Sequence, residues 1–293
     1  MRPLAIDLFC GLGGWAEGLL AEGYDVIGFD IERHEYWAPA DIADGDGLKG
    51  TRPIEKRGWT QGCAVSLGLE GANKKPLTKH LCYPGQLVLQ DILTLHGSQF
   101  RNVDLIVASP PCQEYSYMAM PWKRAKAKAA AIRADTSGQK LADLNRLFNA
   151  CFRIQREASE AAGRHIPMVV ENVRGAQEWV GRAKWNYGSF YLWGDVPALM
   201  PMTLRTQKFN PDGTRHGQGS WFAVADSKNR GSGRKAPGTT AWFNDAPRTP
   251  ESLASSGSKS PKRKMASALI AKIPFELARH IARSFYPKKA KAA

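Results

Sequence analysis

Three short segments carry side chains whose type and setting could do chemistry. Ser109-Pro110-Pro111-Cys112-Gln113 follows directly on the apolar run Val103–Ala108. Two prolines restrict the backbone, so one thiol is presented in a set direction. A cysteine in such a rigid polar loop suits a nucleophile better than a packing role. Glu171-Asn172-Val173 follows a second apolar run, Pro167–Val170. Its carboxyl group could move a proton, or it could be a plain surface acid. The third segment, Asp7-Leu8-Phe9-Cys10-Gly11-Leu12-Gly13-Gly14, is a glycine-rich turn. Such a turn lets a ligand approach both the backbone and a helix N-terminus. Its spacing departs from GxGxxG, and taken alone it fits adenosylmethionine, a dinucleotide or a simple tight turn equally. Asp30 and Glu32 close the next apolar run. A carboxylate there can hold two ribose hydroxyls, or merely mark an exposed strand end.

The elements that must position these groups read as a parallel α/β sheet. Leu4–Phe9 is a short apolar strand ending at the glycine turn, Trp15–Glu22 a helix, and Tyr24–Phe29 a second strand, which together open a strand–helix–strand unit. Val88–Ile92, Val103–Ala108 and Pro167–Val170 add three buried strands. Leu141–Ala161 is a helix, with Leu141, Leu144, Leu147, Phe148, Cys151 and Ile154 at helical spacing. Residues 37–87 interrupt the pattern as an inserted hairpin or lobe, and 203–264 lack periodicity. Met265–Phe285 is helical again through Leu269, Ile273, Leu277, Ile281 and Phe285. The expected organisation is therefore an α/β domain over 1–202, a small separate lobe over 203–264 and a returning helix over 265–286.

Composition narrows the partners. The chain carries +14 formal charge, and Thr203–Ala293 alone hold 18 Lys/Arg against 5 Asp/Glu. Such a basic third fits a polyanion or serves as a solubilising tail. Apolar runs fall short of the ~18 residues that span a membrane, and Asp7 breaks the N-terminal stretch, so neither a membrane nor a signal peptide is expected. Five widely spaced cysteines suit free thiols in a cytosolic protein better than a disulfide framework. Cys63, His80 and Cys82 lack a paired CxxC, and no metal is expected.

In order along the chain, DLFCGLGGW, DIE after the second strand, QDI before the third, SPPCQ after the fourth and ENV after the fifth resemble the DNA cytosine-5 methyltransferase family. IPFELARHIA, from Ile273, is similar to that family's last helix. The resemblance implies a Rossmann-like S-adenosylmethionine-dependent methyltransferase fold and cytosine in double-stranded DNA as substrate. It implies Cys112 as the thiolate that adds to carbon 6, with a pKa lowered by an electropositive pocket, and Glu171 as the group that holds the ring nitrogen and amine. It implies a cofactor cradle of Asp7, Phe9, Cys10, Gly11, Leu12, Gly13, Gly14, Asp30, Ile31, Glu32, Asp91, Ile92 and Pro110. It implies Gln113 as a DNA contact, and the acid-free run Pro121–Arg133, with Lys123, Arg124, Lys126 and Lys128 meeting DNA, as a mobile loop that closes over it; the run also reads as a solvated helix face. The compact forms carried by phages and prophages, working in a bacterial or infected-host cytosol with or without a restriction partner, are the nearest comparison.

The chain departs from the family in two motifs and in the size of its lobe. Asn186-Tyr187-Gly188-Ser189-Phe190 stands where a glutamine–arginine–arginine cluster is usual, so Arg182 or Arg174 is expected to hold the cytosine carbonyl. Ile270-Ala271 replaces a Gly-Asn pair, with Lys272 beside it. That ammonium either meets solvent or could accept a donor carrying an extra carboxylate. The recognition lobe is short, which implies a short or loosely read target. Two other readings stand beside the main one: a transfer-RNA cytosine-5 methyltransferase, and a non-catalytic DNA-binding descendant.

Overall fold

A computed structural model of the chain describes residues 2–39, 78–116, 122–200, 264, 267–269 and 271–287. Cys63, Pro121, nearly all of the expected recognition lobe and most of the insertion lie outside the described residues. The chain divides into two compact units, Met1–Arg33 with Tyr83–Leu204 and Lys272–Ala293, and His34–Cys82 with Arg205–Ala271.

The first unit is built on a seven-stranded sheet. Its strands are β1 (Leu4–Leu8), β2 (Asp25–Asp30), β5 (Gln86–Leu89), β6 (Leu105–Ala108), β7 (Met168–Asn172), β8 (Trp185–Tyr187) and β9 (Phe190–Gly194), in the order β5-β2-β1-β6-β7-β9-β8. The pairs from β5 to β7 are parallel, and β9 is antiparallel to both β7 and β8. Strands covered on both faces need continuous apolar sequence, and LIVA of β6 is buried throughout. Successive residues feed opposite faces. Ile6, Leu8, Ile106, Met168 and Val170 pack with Phe148, Cys151 and Ile154 of helix α3 (Gln139–Ala162). Ala5, Leu105, Val107 and Val169 pack with Trp15 and Leu19 of α1 (Gly14–Ala21) and with Leu277 and Ile281 of α5 (Phe275–Ser284). The result is a three-layer, Rossmann-like α/β fold.

Sheet order reverses between β1 and β6. The chain leaves β1 through α1 toward β2 and leaves β6 through α2 (Trp122–Arg133) and α3 toward β7. Ligand crevices form at such a reversal, outside the carboxyl ends of the strands. Helix α5 closes the α1 face from the far end of the chain. A Cβ on Gly14 would stand 2.4 Å from the Ile273 nitrogen, and one on Gly18 would stand 2.5 Å from Ala278. The two glycines, one turn apart, let the helices meet backbone to backbone. Tyr24 then donates to the Ala282 carbonyl at 3.1 Å, and Arg279 and Arg283 flank Glu22.

Element ends differ from expectation in instructive ways. The helix expected over Met265–Phe285 is interrupted at Pro274, which caps α5 in an extended conformation. QDI follows its strand rather than preceding it: the chain turns out of the sheet after Leu89, and the Asp91 carboxylate accepts from Leu93 N at 2.9 Å to cap a 3-10 turn. In the second unit β3 (Tyr36–Pro39) pairs antiparallel with β4 (Thr78–Leu81). Cys82 is disulfide-bonded, which corrects the expectation of a free thiol there; Cys10, Cys112 and Cys151 are free. No helix among the described residues is long and apolar enough to cross a membrane.

Candidate active site

Strand register fixes what meets at the sheet's carboxyl edge. Leu8 lies opposite Phe29 on one side and Ala108 on the other, Ala108 lies opposite Val170, and Asp30 opposite Leu89. The glycine turn, Ile31–Glu32, Gln90–Ile92 and Ser109–Gln113 therefore leave the sheet at one edge, where Asp30 ends β2 and Glu171-Asn172 end β7, around the β1–β6 reversal.

The glycine turn is held in an unusual backbone state. Gly11 and Gly13 have φ of 50° and 74°, and so does Phe9, at 57°. For a bulky residue that region is strained, and it survives only where surroundings impose it. Here Cys10 N donates to Phe29 O at 3.2 Å, and Gly13 N to Cys10 O at 2.8 Å. Asp30 ties the turn to β2: one carboxylate oxygen accepts from Gly11 N at 3.0 Å and the other from Ile31 N at 2.8 Å. Glu32 and Ile31 are exposed beyond it, Ile31 at 71%. Of the other residues expected in the cradle, Leu12 and Ile92 are buried core, Asp91 is exposed as the cap described above, and Pro110 is buried.

Asp7 and Cys10 sit beneath the turn. Asp7 is wholly buried, with one carboxylate oxygen accepting from Tyr83 OH at 3.4 Å. Burial, reinforced by the nearby Asp30 charge, raises the Asp7 carboxyl well above the usual range. Burial likewise raises the Cys10 thiol. Tyr83 fills the space left by the glycines: a Cβ on Gly28 would stand 2.4 Å from its ring, and one on Gly13 2.9 Å.

Cys112 lies in the loop after β6 and Glu171 in the last residues of β7, and the two segments are stitched together. Asn172 Nδ2 donates to the Pro110 carbonyl at 2.9 Å, fixing the proline pair against β7. Ser109 Oγ accepts from Trp15 Nε1 at 2.9 Å, which links the loop to the helix of the glycine turn. Glu171 is only 8% exposed, and burial lifts its carboxyl to about 8, with the Ser109 hydroxyl opposing. Cys112 is partly buried, and its thiol is pushed up to about 11 by burial and then by the charge on Glu171. A lowered thiol pKa was expected; among the described residues the charged neighbour that acts on the thiol is a carboxyl group, and the shift is upward. A neutral thiol beside a neutral acid is thus the resting state at pH 7.

Gln113, Lys123, Arg124 and Lys126 are exposed, while Lys128 is partly buried and ion-paired with Glu114. The expected loop is a helix, α2, because Ala125, Ala129 and Ile132 recur on one buried face and Arg133 pairs with Glu178. Arg174 and Arg182 are both exposed, Arg174 in a 3-10 turn after Val173 and Arg182 ahead of β8; neither is bonded to Cys112 or Glu171. Lys272 reaches the first turn of α1 and pairs with Glu17 at 2.6 Å, so its ammonium already has a carboxylate partner. Trp15, Ser109, Asn172 and Tyr83 were not singled out for these roles. The first three stand inside the quoted motifs, whereas Tyr83 lies 76 positions from Asp7 and had no local signal.

No family model matches the chain, and no curated protein sequence matches it. Among solved structures it is similar to a DNA modification methyltransferase encoded within a prophage of E. coli, at 20% identity over 60% of this chain and 33% of that one, TM-score 0.28. It is also similar to the Entamoeba histolytica methyltransferase EhMeth, at 15% identity over 62% of this chain and 41% of that one, TM-score 0.30. The S. pombe Dnmt2 methyltransferase matches at 15% identity over 62% and 37%, TM-score 0.30. The chain spans about a third to two fifths of the length of these proteins. At such scores the likeness adds nothing to the sheet topology already described.

Proposed function

We propose that this chain is an S-adenosylmethionine-dependent methyltransferase that methylates carbon 5 of cytosine in double-stranded DNA. The observation that carries the reading is the pairing of Cys112 with a buried Glu171, on the far side of the β1–β6 reversal from a strained glycine turn. The turn suits the proposed donor. Added atoms at Gly11 would meet nothing within 4 Å, and exposed Ile31 and Leu89 offer apolar ground beside it for a flat ring. Asp30 and Glu32 supply the carboxylates at the strand end.

The residues divide the work by their protonation states. A cytosine must leave the stack to reach this pocket. Cys112 then gives up its proton to water and Sγ bonds to carbon 6; the carbon 5–carbon 6 π electrons move to carbon 5, and Glu171 passes its proton to ring nitrogen 3. A carboxyl group at about 8 is still protonated at pH 7 and can make that donation. The donor, when bound, supplies an electrophilic methyl carbon on sulfur. After methylation the carbon 5 proton leaves to water, the double bond re-forms, the Sγ–carbon 6 bond breaks and Glu171 recovers its proton. Lys123 and Arg124, exposed on α2, would meet phosphate and so offset part of the flipping cost.

A duplex containing 5-fluorocytosine tests the reading, since fluorine cannot depart as a proton would. With adenosylmethionine present, the wild-type chain is expected to form a covalent adduct through Cys112, and Cys112→Ser none. A transfer RNA carrying the same base is the parallel arm. Adduct on RNA alone would move the substrate class, and no adduct on either would overturn the assignment.

A further inference from the structure

We propose that Asn145 is a positioning residue for Cys112, tying the nucleophile loop to the segment that follows Glu171. The inference rests on Cys112 being the nucleophile. Asn145 lies on the buried face of α3 with Phe148, Cys151 and Ile154, where an apolar side chain would be expected. An amide in a helix core stays only where its donors and acceptor are satisfied. Both ends of this one are used. Its Oδ1 takes the Tyr115 hydroxyl at 3.0 Å, a proton shared with the Leu144 carbonyl at 3.2 Å, and its Nδ2 donates to Trp179 O at 2.8 Å.

Those partners lie in the segments that follow Cys112 and Glu171. Tyr115 N and Ser116 N both donate to Cys112 O, at 3.0 and 2.9 Å, so Tyr115 anchors the turn that begins at the nucleophile. Trp179 lies in α4 (Gln177–Val180), which follows Glu171-Asn172 through a 3-10 turn. With Asn172 to Pro110 on the upstream side, the Cys112 loop is fastened to the Glu171 segment both before and after the nucleophile. Helix α2 reinforces both anchors, through Lys128 to Glu114 and Arg133 to Glu178. Asn145 touches no reacting atom; it fixes where Cys112 stands relative to Glu171.

Three full-length variants test this: Asn145→Leu, Tyr115→Phe and the double substitution. Leu keeps the branched outline of Asn and suits the buried helix face, and removing both partners together spares part of the stability lost when one is left alone. The first readout is iodoacetamide labelling of Cys112, with buried Cys10 and Cys151 as internal controls. Loosening should speed Cys112 labelling about fivefold or more, because solvent reaches a thiol now held up by burial, while the other two stay protected. The second is methyl transfer: kcat should fall at least ~10-fold in all three variants, with the KM for adenosylmethionine within about twofold, as expected of lost alignment. The double variant should melt closer to wild type than the single variants without regaining kcat. Unchanged Cys112 labelling, or all three cysteines labelling faster together, would overturn the proposal, as would a double variant that recovers activity along with stability. A wild-type chain that methylates no nucleic acid would instead defeat the proposed function, and the labelling pattern would still judge the tie.

Discussion

Glu171→Gln should make the protein inactive and more stable, and the gain in stability should grow with pH. The carboxyl group titrates near 8 in the folded chain against a reference of 4.5, mainly because it is buried. A folded-state pKa above the unfolded one means that the unfolded chain loses its proton first. The stability linked to this group is complete below about pH 4.5 and drains away until pH passes 8. At 1.36 kcal/mol per unit, the penalty is about 2 kcal/mol at pH 6 and about 5 kcal/mol at pH 9. Glutamine carries no such penalty, so its advantage should widen by roughly 3 kcal/mol between those pH values. For a chain of this size that is about 6–10 °C in melting temperature. Differential scanning calorimetry of both proteins at pH 6 and pH 9 reads it directly. A constant difference across that range would refute the burial of an ionisable Glu171 and with it the neutral-acid role. Turnover should fall by a factor of ~100 or more, the scale of acid–base assistance, while adenosylmethionine binding stays within twofold.

Three further outcomes are expected. Tyr83→Phe removes the hydroxyl that donates to buried Asp7 beneath the glycine turn, and should weaken adenosylhomocysteine binding about threefold to tenfold by calorimetry, the scale of one lost hydrogen bond; unchanged affinity would detach Tyr83 from the turn. Gly18→Ala places a methyl group 2.5 Å from Ala278, so α5 must shift off α1, at a cost of about 1–3 kcal/mol in thermal or urea melts; wild-type stability would disprove the close approach. Lys123→Glu and Arg124→Glu should each reduce the slope of log affinity for duplex DNA against log salt by about one, and Lys128→Glu by less, because Lys128 already faces Glu114; equal effects at all three positions would refute that ordering.

What could be read from sequence here was whatever depended on neighbouring residues. Apolar runs the length of a strand located the five parallel strands to within a few residues, most clearly β6, which is covered on both faces and apolar throughout. Cys112 and Glu171 could be nominated for the same reason, since each stands where such a run stops. The pocket's electrostatics were another matter. Spacing along the chain does not say that Glu171 is sealed from water, and so the Cys112 thiol was expected low and is high. The resemblance cast the basic run after Cys112 as a loop, yet Ala125, Ala129 and Ile132 form an inward helical face once α3 is there to receive it. Tyr83 under the turn, Asn145 between the loops and Gly18 against Ala278 are set by pairs 76, 30 and 260 positions apart. In each case the partner matters more than the residue type, and the partner appears only after folding. The same separation explains how a site can stand on unexceptional residues: the reactive groups are local and few, and what positions and tunes them is spread across α1, α3 and the first strand.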